Sequence, residues 1–563
     1  MKINPRPPRW ADWFLEWYCK PELLEEIQGD IYEIFYYHIK QKGERAARRG
    51  FAWNVLCSFR LSTIRQLELF STIMLRSNFK IAVRQMSKQK GFTAIKIGGF
   101  ALGIAACILI GLYIQHELNY DNHYLQADRI YRMYNDYFVE GKVVSGTSQS
   151  APIAAKIKEE YPEIELAGRI QNNPNFFMVG DNHVRRSDRN KNSFESGFAF
   201  ADQEILDIFQ YPMLYGDPHT ALSEPNTIVL SEQAARKLFG YENPMGKSLI
   251  IENNVDRPFE ITGVLAEFPT TSHLQYNFWL SMEGQEFWEG EQTQWGYNNY
   301  DVYMKHYEGA DMAAFEEKLE SLLINYVGPE SIKNGWYENV GQLLAKRRLR
   351  AHPVSDTHLY YGHVNVVDKR EIGDIRLVWT FSIVAFFILL LACINFVNLA
   401  TAKSSIRMKE VGVRKVLGSL RSNMIAQFLI ESSLYSLLSF VLGVLLASWF
   451  LPLFNKMAGK SLSFPWLSFW FIPSLLFGVV FIGLLAGLYP ALYMSKYKPI
   501  EAFKGMLAKG NRNRFLSNGL VVFQFTVAII LITSTIVINQ QMQYILNKEI
   551  GFDKEQVLLM YQQ

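Results

Sequence analysis

Cysteine is scarce in this sequence of 563 residues, which contains only four. The four are Cys19, Cys57, Cys107 and Cys393. Residues 116–376 contain none, so this long segment is not expected to be held by disulfides and needs a hydrophobic core of its own. Residues 1–75 are charged and aromatic, and they do not show the basic and apolar regions of a cleavable signal peptide.

Charged residues are almost absent from five apolar stretches. Each stretch is long enough for a helix to cross about 30 Å of hydrocarbon. A soluble protein could bury one such stretch in its core, but five predict an integral membrane protein. We predict five transmembrane helices, at residues 97–115, 377–400, 426–453, 468–494 and 518–540.

The segments between these stretches differ in charge. Residues 78–96, 401–425 and 495–517 are all rich in lysine and arginine. The second of these loops has six basic residues against one acid: Lys403, Arg407, Lys409, Arg414, Lys415, Arg421 and Glu410. Because basic loops stay in the cytoplasm, this pattern places the amino terminus inside and residues 116–376 outside.

The predicted fold class is therefore an α-helical transmembrane bundle with two attached domains. Residues 116–376 alternate short β-rich runs with short helices and predict a large α/β extracytoplasmic domain. Within it, Thr227–Leu230 is predicted as a strand, Ser231 as the N-cap of a following helix, and Ser248–Glu252 and Phe259–Val264 as strands of the same sheet. Residues 1–75 predict a small α-helical cytoplasmic domain, since their apolar residues repeat at helical spacing.

Residues 78–96 mix apolar and basic side chains directly before the first apolar stretch. This composition is typical of an amphipathic segment in the membrane interface, close to anionic lipid. A nucleic-acid patch is the alternative, and the adjoining membrane helix makes it the weaker interpretation.

Small and amide residues within the spans predict helix packing. Glycines at four-residue spacing give one helix a smooth stripe against which a second helix can approach closely. Asparagines inside a span are expected to hydrogen bond to a neighbouring helix. The predicted packing residues are Gly99, Gly103, Gly111, Asn395, Asn398, Gly483 and Gly487. Glu431 lies near the inner end of the third span, where it can reach water or a basic loop residue; a proton relay is the alternative.

Motifs for catalysis are not found. Gly246-Lys247-Ser248 looks like the end of a phosphate-binding loop, but position 241 is Tyr where that loop needs glycine. His352, His358 and His363 suggest a metal site, yet their spacing places them on no common helix or strand face, and the metal interpretation stays a minor alternative. We therefore predict no enzyme activity, no catalytic residues, no metal and no cofactor for this chain.

Three stretches resemble one transporter family. They are NFVNLATAKSSIRMKEVGVRKVLGS, ALSEPNTIVLSEQAARKLFGYENPMGKSLII and LNYDNHYLQADRIYR. Together they are similar to the permeases of the FtsX/MacB family of ABC transporters. Composition alone leaves open whether residues 401–425 form a plain basic loop or a short amphipathic helix. The resemblance implies a coupling helix that docks on a separate ATPase, with the coupling positions Lys409, Glu410, Val411, Gly412, Arg414, Lys415 and Gly418.

The resemblance implies a permease subunit that couples ATP hydrolysis by its partner to movement of the extracytoplasmic domain, for export or mechanotransmission. The implied substrates are a peptide, an antibiotic, a lipid or a lipoprotein. Implied partners are the ATPase, membrane lipid, a second permease half in a dimer or two-half assembly, and a periplasmic adaptor or outer-membrane protein; nucleic acid is not among them. Two other functions stay open, an FtsX-like regulator of cell-wall hydrolases and a transmembrane sensor.

Both ends of the chain have counterparts in this family. The stretch WFLEWYCKPELLEEIQGDIYEIF looks like the prefix domain that precedes some of these permeases. The fifth span resembles the helix that opens the second half of longer, two-half permeases. We therefore expect residues 541–563 to begin a second extracytoplasmic domain and the reading frame to be incomplete.

Overall fold

The computed structural model describes residues 7–19, 21–59, 72–360, 364–365, 373–402, 413, 415–417, 419, 421–466, 468–495 and 511–548. The chain divides into two compact units. The first comprises residues 1–109, 385–457 and 464–546, and the second comprises residues 110–384, 458–463 and 547–563. In the described residues the first unit is helical, and the second is built mainly from strands and short helices.

Three helices at the amino-terminal end share a small core. They are α1 (Arg9–Tyr18), α2 (Pro21–Lys42) and α3 (Glu44–Cys57). Leu15, Phe35 and Phe51, one from each helix, are fully buried against one another. The Tyr18 hydroxyl donates a hydrogen bond of 2.9 Å to the carbonyl of Val55, and burial raises the pKa of this tyrosine to about 12. A fourth helix, α4 (Thr72–Lys88), follows.

Within the described residues, five further helices are long and apolar enough to cross a membrane, in agreement with the predicted number. They are span 1 (Lys90–Leu118), span 2 (Ile375–Ala402), span 3 (Arg421–Ala458), span 4 (Phe471–Ser495) and span 5 (Asn511–Asn547). Span 1 begins at Lys90, so its first turns take up the end of the stretch predicted as interfacial, residues 78–96. The remainder of that stretch lies mainly in α4.

Spans 1 to 4 pack through one apolar cluster in the first unit. Phe100, Ala392, Tyr435 and Ala486 are buried in it, one from each of the four spans. Lys96 is buried beside the cluster, with its Nζ 4.9, 5.0 and 4.7 Å from the ring centres of Phe92, Phe396 and Tyr435. The electron-rich ring faces stabilise the ammonium group where water is scarce.

The second unit contains fourteen described strands in one connected sheet. The strands are β1 (Ile130–Val139), β2 (Lys142–Gly146), β3 (Ser148–Ser150), β4 (Ile164–Gln171), β5 (Gly180–Arg186), β6 (Ser193–Ala201), β7 (Met213–Gly216), β8 (Thr227–Ser231), β9 (Ser248–Ile251), β10 (Phe259–Leu265), β11 (Phe278–Ser281), β12 (Asn298–His306), β13 (Arg347–Pro353) and β14 (Val364–Asn365). The helices are Ile153–Glu160, Gln203–Phe209, Glu232–Phe239, Met312–Lys318, Glu320–Leu322, Gly328–Lys333, Val340–Lys346 and Val354–Tyr360, with a π-helical turn at Leu323–Val327.

Six of these strands close into a ring in the order β11, β8, β10, β9, β5 and β6. Parallel pairing of β11 with β6, which sets Phe278 opposite Phe198, closes the ring. Because side chains alternate between the faces of a strand, every second residue points inward. The rings of Phe198 and Phe278 stack at 4.0 Å in this interior. Also buried there are Phe200, Ile228, Leu230, Leu249, Ile251, Phe259, Ile261 and Leu280.

The remaining large strands form an antiparallel layer. β12 pairs with β4 on one side and with β1 on the other, and β13 pairs with β1. Helix Ile153–Glu160 and the helices between Met312 and Lys346 cover this layer, with Ile157, Phe315 and Leu343 in the shared core. Strand β4 also pairs with β6, which joins the layer to the ring.

The local predictions for residues 227–264 are confirmed. β8, β9 and β10 are strands of one sheet, and the helix between β8 and β9 begins directly after Ser231. The hydroxyl of Ser231 accepts a hydrogen bond from the backbone N–H of Ala234, as an N-cap should. Gly240 ends this helix with a φ of 66°, a backbone conformation that favours glycine.

A buried ion pair joins β1 to β12. Arg132 Nη2 donates to Asp301 Oδ2 at 2.8 Å, and both side chains are almost completely buried. Asn172 donates a second hydrogen bond of 2.9 Å to the same carboxylate oxygen, and the Arg132 guanidinium lies 5.4 Å from the ring centre of Tyr303. Buried charges persist only with such partners, because an isolated one is costly.

Replacing Asp301 by alanine is expected to lower the free energy of unfolding of the α/β domain by about 3–5 kcal/mol, since Arg132 would keep a buried charge without this carboxylate. Urea unfolding followed by tryptophan fluorescence would measure the change. The matched control is Glu232→Ala, which removes the carboxylate of the more exposed pair with Arg236 and should cost less than about 0.5 kcal/mol. Equal losses in the two variants would contradict the prediction.

Candidate functional site

The segment that leaves span 1 is fixed to the α/β domain by three hydrogen-bonded side chains. Asp121 is fully buried. Its Oδ1 accepts a hydrogen bond of 3.0 Å from the backbone N–H of His273 and lies 2.8 Å from Nδ1 of the His273 ring. Tyr120 donates to the carbonyl of Ser272, and Tyr124 lies 2.6 Å from the Ser272 hydroxyl. The chain therefore enters the domain along a defined path.

A second set of contacts, here called the polar junction, consists of Glu117, His358 and Lys460. Glu117 Oε2 lies 2.8 Å from His358 Nε2, and Glu117 Oε1 lies 2.8 Å from Lys460 Nζ. The side chains of Glu117 and His358 are 3% and 1% exposed, whereas Lys460 is about one quarter exposed. One buried carboxylate thus holds a histidine and a lysine from two distant parts of the chain.

Close packing surrounds the polar junction. The His358 ring stacks on the Tyr120 ring with centres 3.7 Å apart and planes within 8°. Gly373 donates its backbone N–H to the His358 carbonyl at 2.8 Å. A Cβ atom at Gly373 would come within 2.6 Å of His358 Nε2 and 2.9 Å of Glu117 Oε2, so the approach needs glycine. This tight fit fixes the position of the His358 ring beside the Glu117 carboxylate.

The polar junction links three segments that each continue into an apolar helix. Glu117 belongs to the last turn of span 1, His358 lies shortly before span 2, and Lys460 directly follows span 3. A buried, charged group holds its partners more strictly than an apolar contact would, because separating them leaves unpaired charge. The arrangement can therefore transmit a displacement of one segment to the other two.

The histidines that suggested a metal site have different surroundings. His352 packs its ring 5.2 Å from that of Tyr134, and burial lowers its pKa. His358 belongs to the polar junction, and His363 lies outside the described residues. Among the described residues, no group of His, Cys, Asp and Glu side chains is arranged to hold a metal ion.

Sequence reasoning missed Glu117, Lys460, Asp121 and His273. The available signal was an acid at the very end of an apolar stretch, together with a lysine in the short loop between spans 3 and 4. Charges at those positions are costly next to a membrane unless they are paired.

Two of the predicted packing residues of span 1, Gly99 and Gly103, lie against span 2 in the first unit. A Cβ atom at Gly103 would lie 2.8 Å from Ala392 Cβ, and one at Gly99 would lie 3.2 Å from Asn395 Nδ2. The two helices therefore touch where a larger residue would separate them. A Cβ atom at Gly111 would meet no neighbouring atom within 4 Å, so its role in packing stays a prediction.

Spans 3 and 4 also approach through small residues. A Cβ atom at Gly487 would lie 2.6 Å from Ser432 Cβ, and one at Gly483 would lie 3.1 Å from Ser436 Cβ. Asn398 of span 2 has its Nδ2 3.5 Å from Gln524 Oε1 of span 5, at the outer limit of a hydrogen bond.

Most predicted coupling positions fall outside the described residues, namely Lys409, Glu410, Val411, Gly412, Arg414 and Gly418. Lys415 is described, in a short helical stretch with Val416. Val416 and Leu417 are 66% and 80% exposed, so apolar side chains are available to a partner beside this basic sequence. Glu431, in span 3, is buried.

Replacing Gly103 by valine is expected to destabilise the helix bundle by about 1–3 kcal/mol, because the new side chain would overlap Ala392. The measurement is the midpoint of thermal unfolding in detergent. Gly111→Val is the matched control on the same span, since it adds the same side chain where there is open space, and its midpoint should stay close to that of the unchanged protein.

Lys460→Gln is expected to lower the free energy of unfolding by about 1–3 kcal/mol, because it removes a charged hydrogen bond from the buried carboxylate of Glu117. Protection of the Val354–Tyr360 helix from hydrogen exchange should fall as well, since His358 shares that carboxylate. Lys456→Gln, at an exposed lysine in the last turn of span 3, is the control and should change neither quantity. Unchanged exchange in both variants would contradict the assigned role.

Two family models match the chain. The MacB-like periplasmic core domain matches residues 93–322, and the C-terminal FtsX-like permease domain matches residues 382–499. Together they span more than half of the sequence. The first match covers most of span 1 and most of the α/β domain, and the second covers most of span 2 and all of spans 3 and 4.

Curated relatives agree with these matches. The macrolide export ATP-binding/permease protein MacB of Sodalis glossinidius is 22% identical over 455 residues, which cover 76% of this chain and 60% of that protein. The ABC transporter permease YknZ of Bacillus subtilis is 24% identical over 376 residues, which cover 65% of this chain and 76% of that protein.

Among solved structures, the chain is similar to a domain of a permease protein from Porphyromonas gingivalis, with 23% identity, a TM-score of 0.33, and coverage of 41% of this chain and 92% of that one.

The family models and the five apolar helices identify a multi-pass membrane protein with a large extracytoplasmic domain. The chain belongs to the FtsX/MacB family of ABC transporter permeases.

Proposed function

We propose that this permease works with a separate ABC ATPase, which docks on the loop between spans 2 and 3, residues 401–425. The observation that carries the proposal is the exposure of Val416 and Leu417 in this basic loop. Protein interfaces combine an apolar contact with charges that select the partner. Lys409, Glu410, Val411, Gly412, Arg414, Lys415 and Gly418 are the proposed coupling residues.

The ATPase is proposed as another polypeptide because the GKS sequence at residues 246–248 lacks the remaining glycine of a phosphate-binding loop. That sequence also lies in the extracytoplasmic domain, away from cytoplasmic ATP. Support for coupling to an ATPase, on whichever polypeptide it lies, comes from the MacB protein of Sodalis glossinidius, whose name joins an ATP-binding part to a permease part. By the positive-inside rule, the basic loops support a cytoplasmic position for the proposed docking site and for the amino terminus.

In the proposed mechanism, nucleotide-driven closure of the ATPase moves the docking loop, and the attached spans move with it. The close glycine contacts favour movement of spans 1 and 2 together, and likewise of spans 3 and 4, because helices packed at this distance resist sliding. The polar junction then carries the displacement from the ends of spans 1 and 3 to the helix Val354–Tyr360 of the extracytoplasmic domain.

Movement of the extracytoplasmic domain would drive export or mechanotransmission. The proposed cargo classes are a peptide, an antibiotic, a lipid or a lipoprotein. A second permease half is proposed to complete the assembly, as a dimer or a two-half permease, because two ATPase subunits need two docking loops. An adaptor or outer-membrane protein is the proposed extracytoplasmic partner, and a cell-wall hydrolase would take that place in an FtsX-like regulator.

The test is co-purification of the ATPase from native membranes in mild detergent, identified by mass spectrometry. The double exchange Glu410→Arg plus Arg414→Glu should reduce the bound ATPase at least tenfold, because it reverses the charge pattern of the docking loop while preserving net charge. Exchange of Glu44→Arg plus Arg48→Glu is the matched control. That pair has the same four-residue spacing on an exposed face of α3, and its exchange should leave binding unchanged.

Retention of the ATPase by the docking-loop variant would overturn this docking site. Recovery of a signalling kinase from the unchanged protein, without any ATPase, would instead support a transmembrane sensor. A co-purified cell-wall hydrolase together with the ATPase would support the regulator.

A further inference from the structure

One face of α1 exposes three tryptophans. Trp10, Trp13 and Trp17 are 56%, 64% and 58% exposed. At 100° per residue, their spacing of three and four places them within about 60° of one another on the helix. The opposite face carries Ala11, Leu15 and Tyr18, all buried in the core with α2 and α3. The tryptophans therefore contribute little to the core of this small domain.

This tryptophan face, defined as Trp10, Trp13 and Trp17, continues into further aromatic surface. The Trp17 ring lies 6.0 Å from Phe14, and Phe14 lies 5.9 Å from Phe59, which is itself about half exposed. The carboxylate of the neighbouring Asp12 faces inward, where it accepts hydrogen bonds from Gln28 at 3.0 Å and Tyr32 at 2.7 Å. That acid is thus already engaged within the domain.

We propose that the tryptophan face lies in the headgroup region of the membrane that the same chain spans. Tryptophan is the side chain most suited to that region, since its ring is apolar and its indole N–H can bond to water or lipid. Lone exposed apolar residues are common on proteins, but three tryptophans on one face of a ten-residue helix form a patch that calls for a covering surface.

The chain itself brings this face to the membrane. Phe59 is followed by residues 60–71 and then by α4, which ends two residues before span 1 begins. Twelve residues reach at most about 40 Å when extended. Helix α4 exposes Phe79 and Val83 beside Lys80 and Arg84, the composition of an interfacial helix. Because the chain connects the tryptophan face to a membrane span over this short distance, the local concentration of lipid around the face is high, and no partner protein is needed to bring the two together.

The test uses the full chain in nanodiscs of phosphatidylethanolamine and phosphatidylglycerol, without ATPase. The four native cysteines are first replaced by alanine, and a nitroxide spin label is attached to Trp13→Cys, Trp17→Cys or Asp30→Cys. Asp30 is an exposed residue of α2 in the same small domain and serves as the aqueous control. Power saturation then compares collisions with oxygen, which concentrates in lipid, and with a water-soluble nickel chelate.

Labels at positions 13 and 17 are expected to collide at least several-fold more with oxygen than with nickel, and the label at position 30 should show the reverse. High nickel access at all three positions would overturn the proposal, because the face would then be in water. Low access to both reagents at positions 13 and 17 would overturn it in favour of a protein partner or a second copy of the chain.

A second variant separates anchoring by tryptophan from simple closeness to the membrane. Trp10→Gln plus Trp17→Gln should bring the nickel accessibility of the position-13 label close to that of the position-30 label. Both replaced residues are exposed, so the domain should still fold, and the mobility of the position-30 label checks this. An unchanged depth at position 13 would contradict the role of the tryptophans.

Discussion

The buried carboxylate of Glu117 imposes the constraint on which the path between membrane and domain depends. A carboxylate at this depth is stable only if positive or hydrogen-bonding groups reach it, and here His358 and Lys460 do so. Those groups come from a helix of the α/β domain and from the loop after span 3. The need to pair one charge thereby fixes three chain segments that are remote in sequence.

The spans and the α/β domain, each taken by itself, contain close contacts that resist deformation. The ends of spans 1 and 3 would pass on little movement if the helices could slide, and close glycine contacts oppose such sliding in the first unit. Within the domain, Asp121 and His273 fix the entering chain, while the Arg132–Asp301 pair ties β1 to β12. Polar pairs therefore fix the path of the entering chain and the pairing of β1 with β12, whereas apolar side chains fill the interior of the strand ring and the core of the antiparallel layer.

Local features of this fold could be predicted from sequence, because they depend on neighbouring residues. The apolar stretches predicted the five spans, and Ser231 correctly predicted the start of a helix. Closure of the strand ring could not be predicted, since β6 and β11 lie far apart in the sequence and no local pattern in either strand identifies the other as its partner. The polar junction could not be predicted for the same reason. Glu117 and His358 are 241 positions apart, and neither residue belongs to a motif that identifies the other as its partner.

An amino-terminal domain held at the membrane surface would stay in place while the neighbouring spans move. The docking loop proposed to be driven by an ATPase could displace spans 2 and 3 only relative to a part of the protein that does not move. The tryptophan face resists leaving the interface, because its rings would exchange lipid for water. Through α4 it is connected to span 1, whose last turn carries Glu117. Anchoring at one end of span 1 and pairing at the other would thus convert movement of the neighbouring spans into movement of the extracytoplasmic domain.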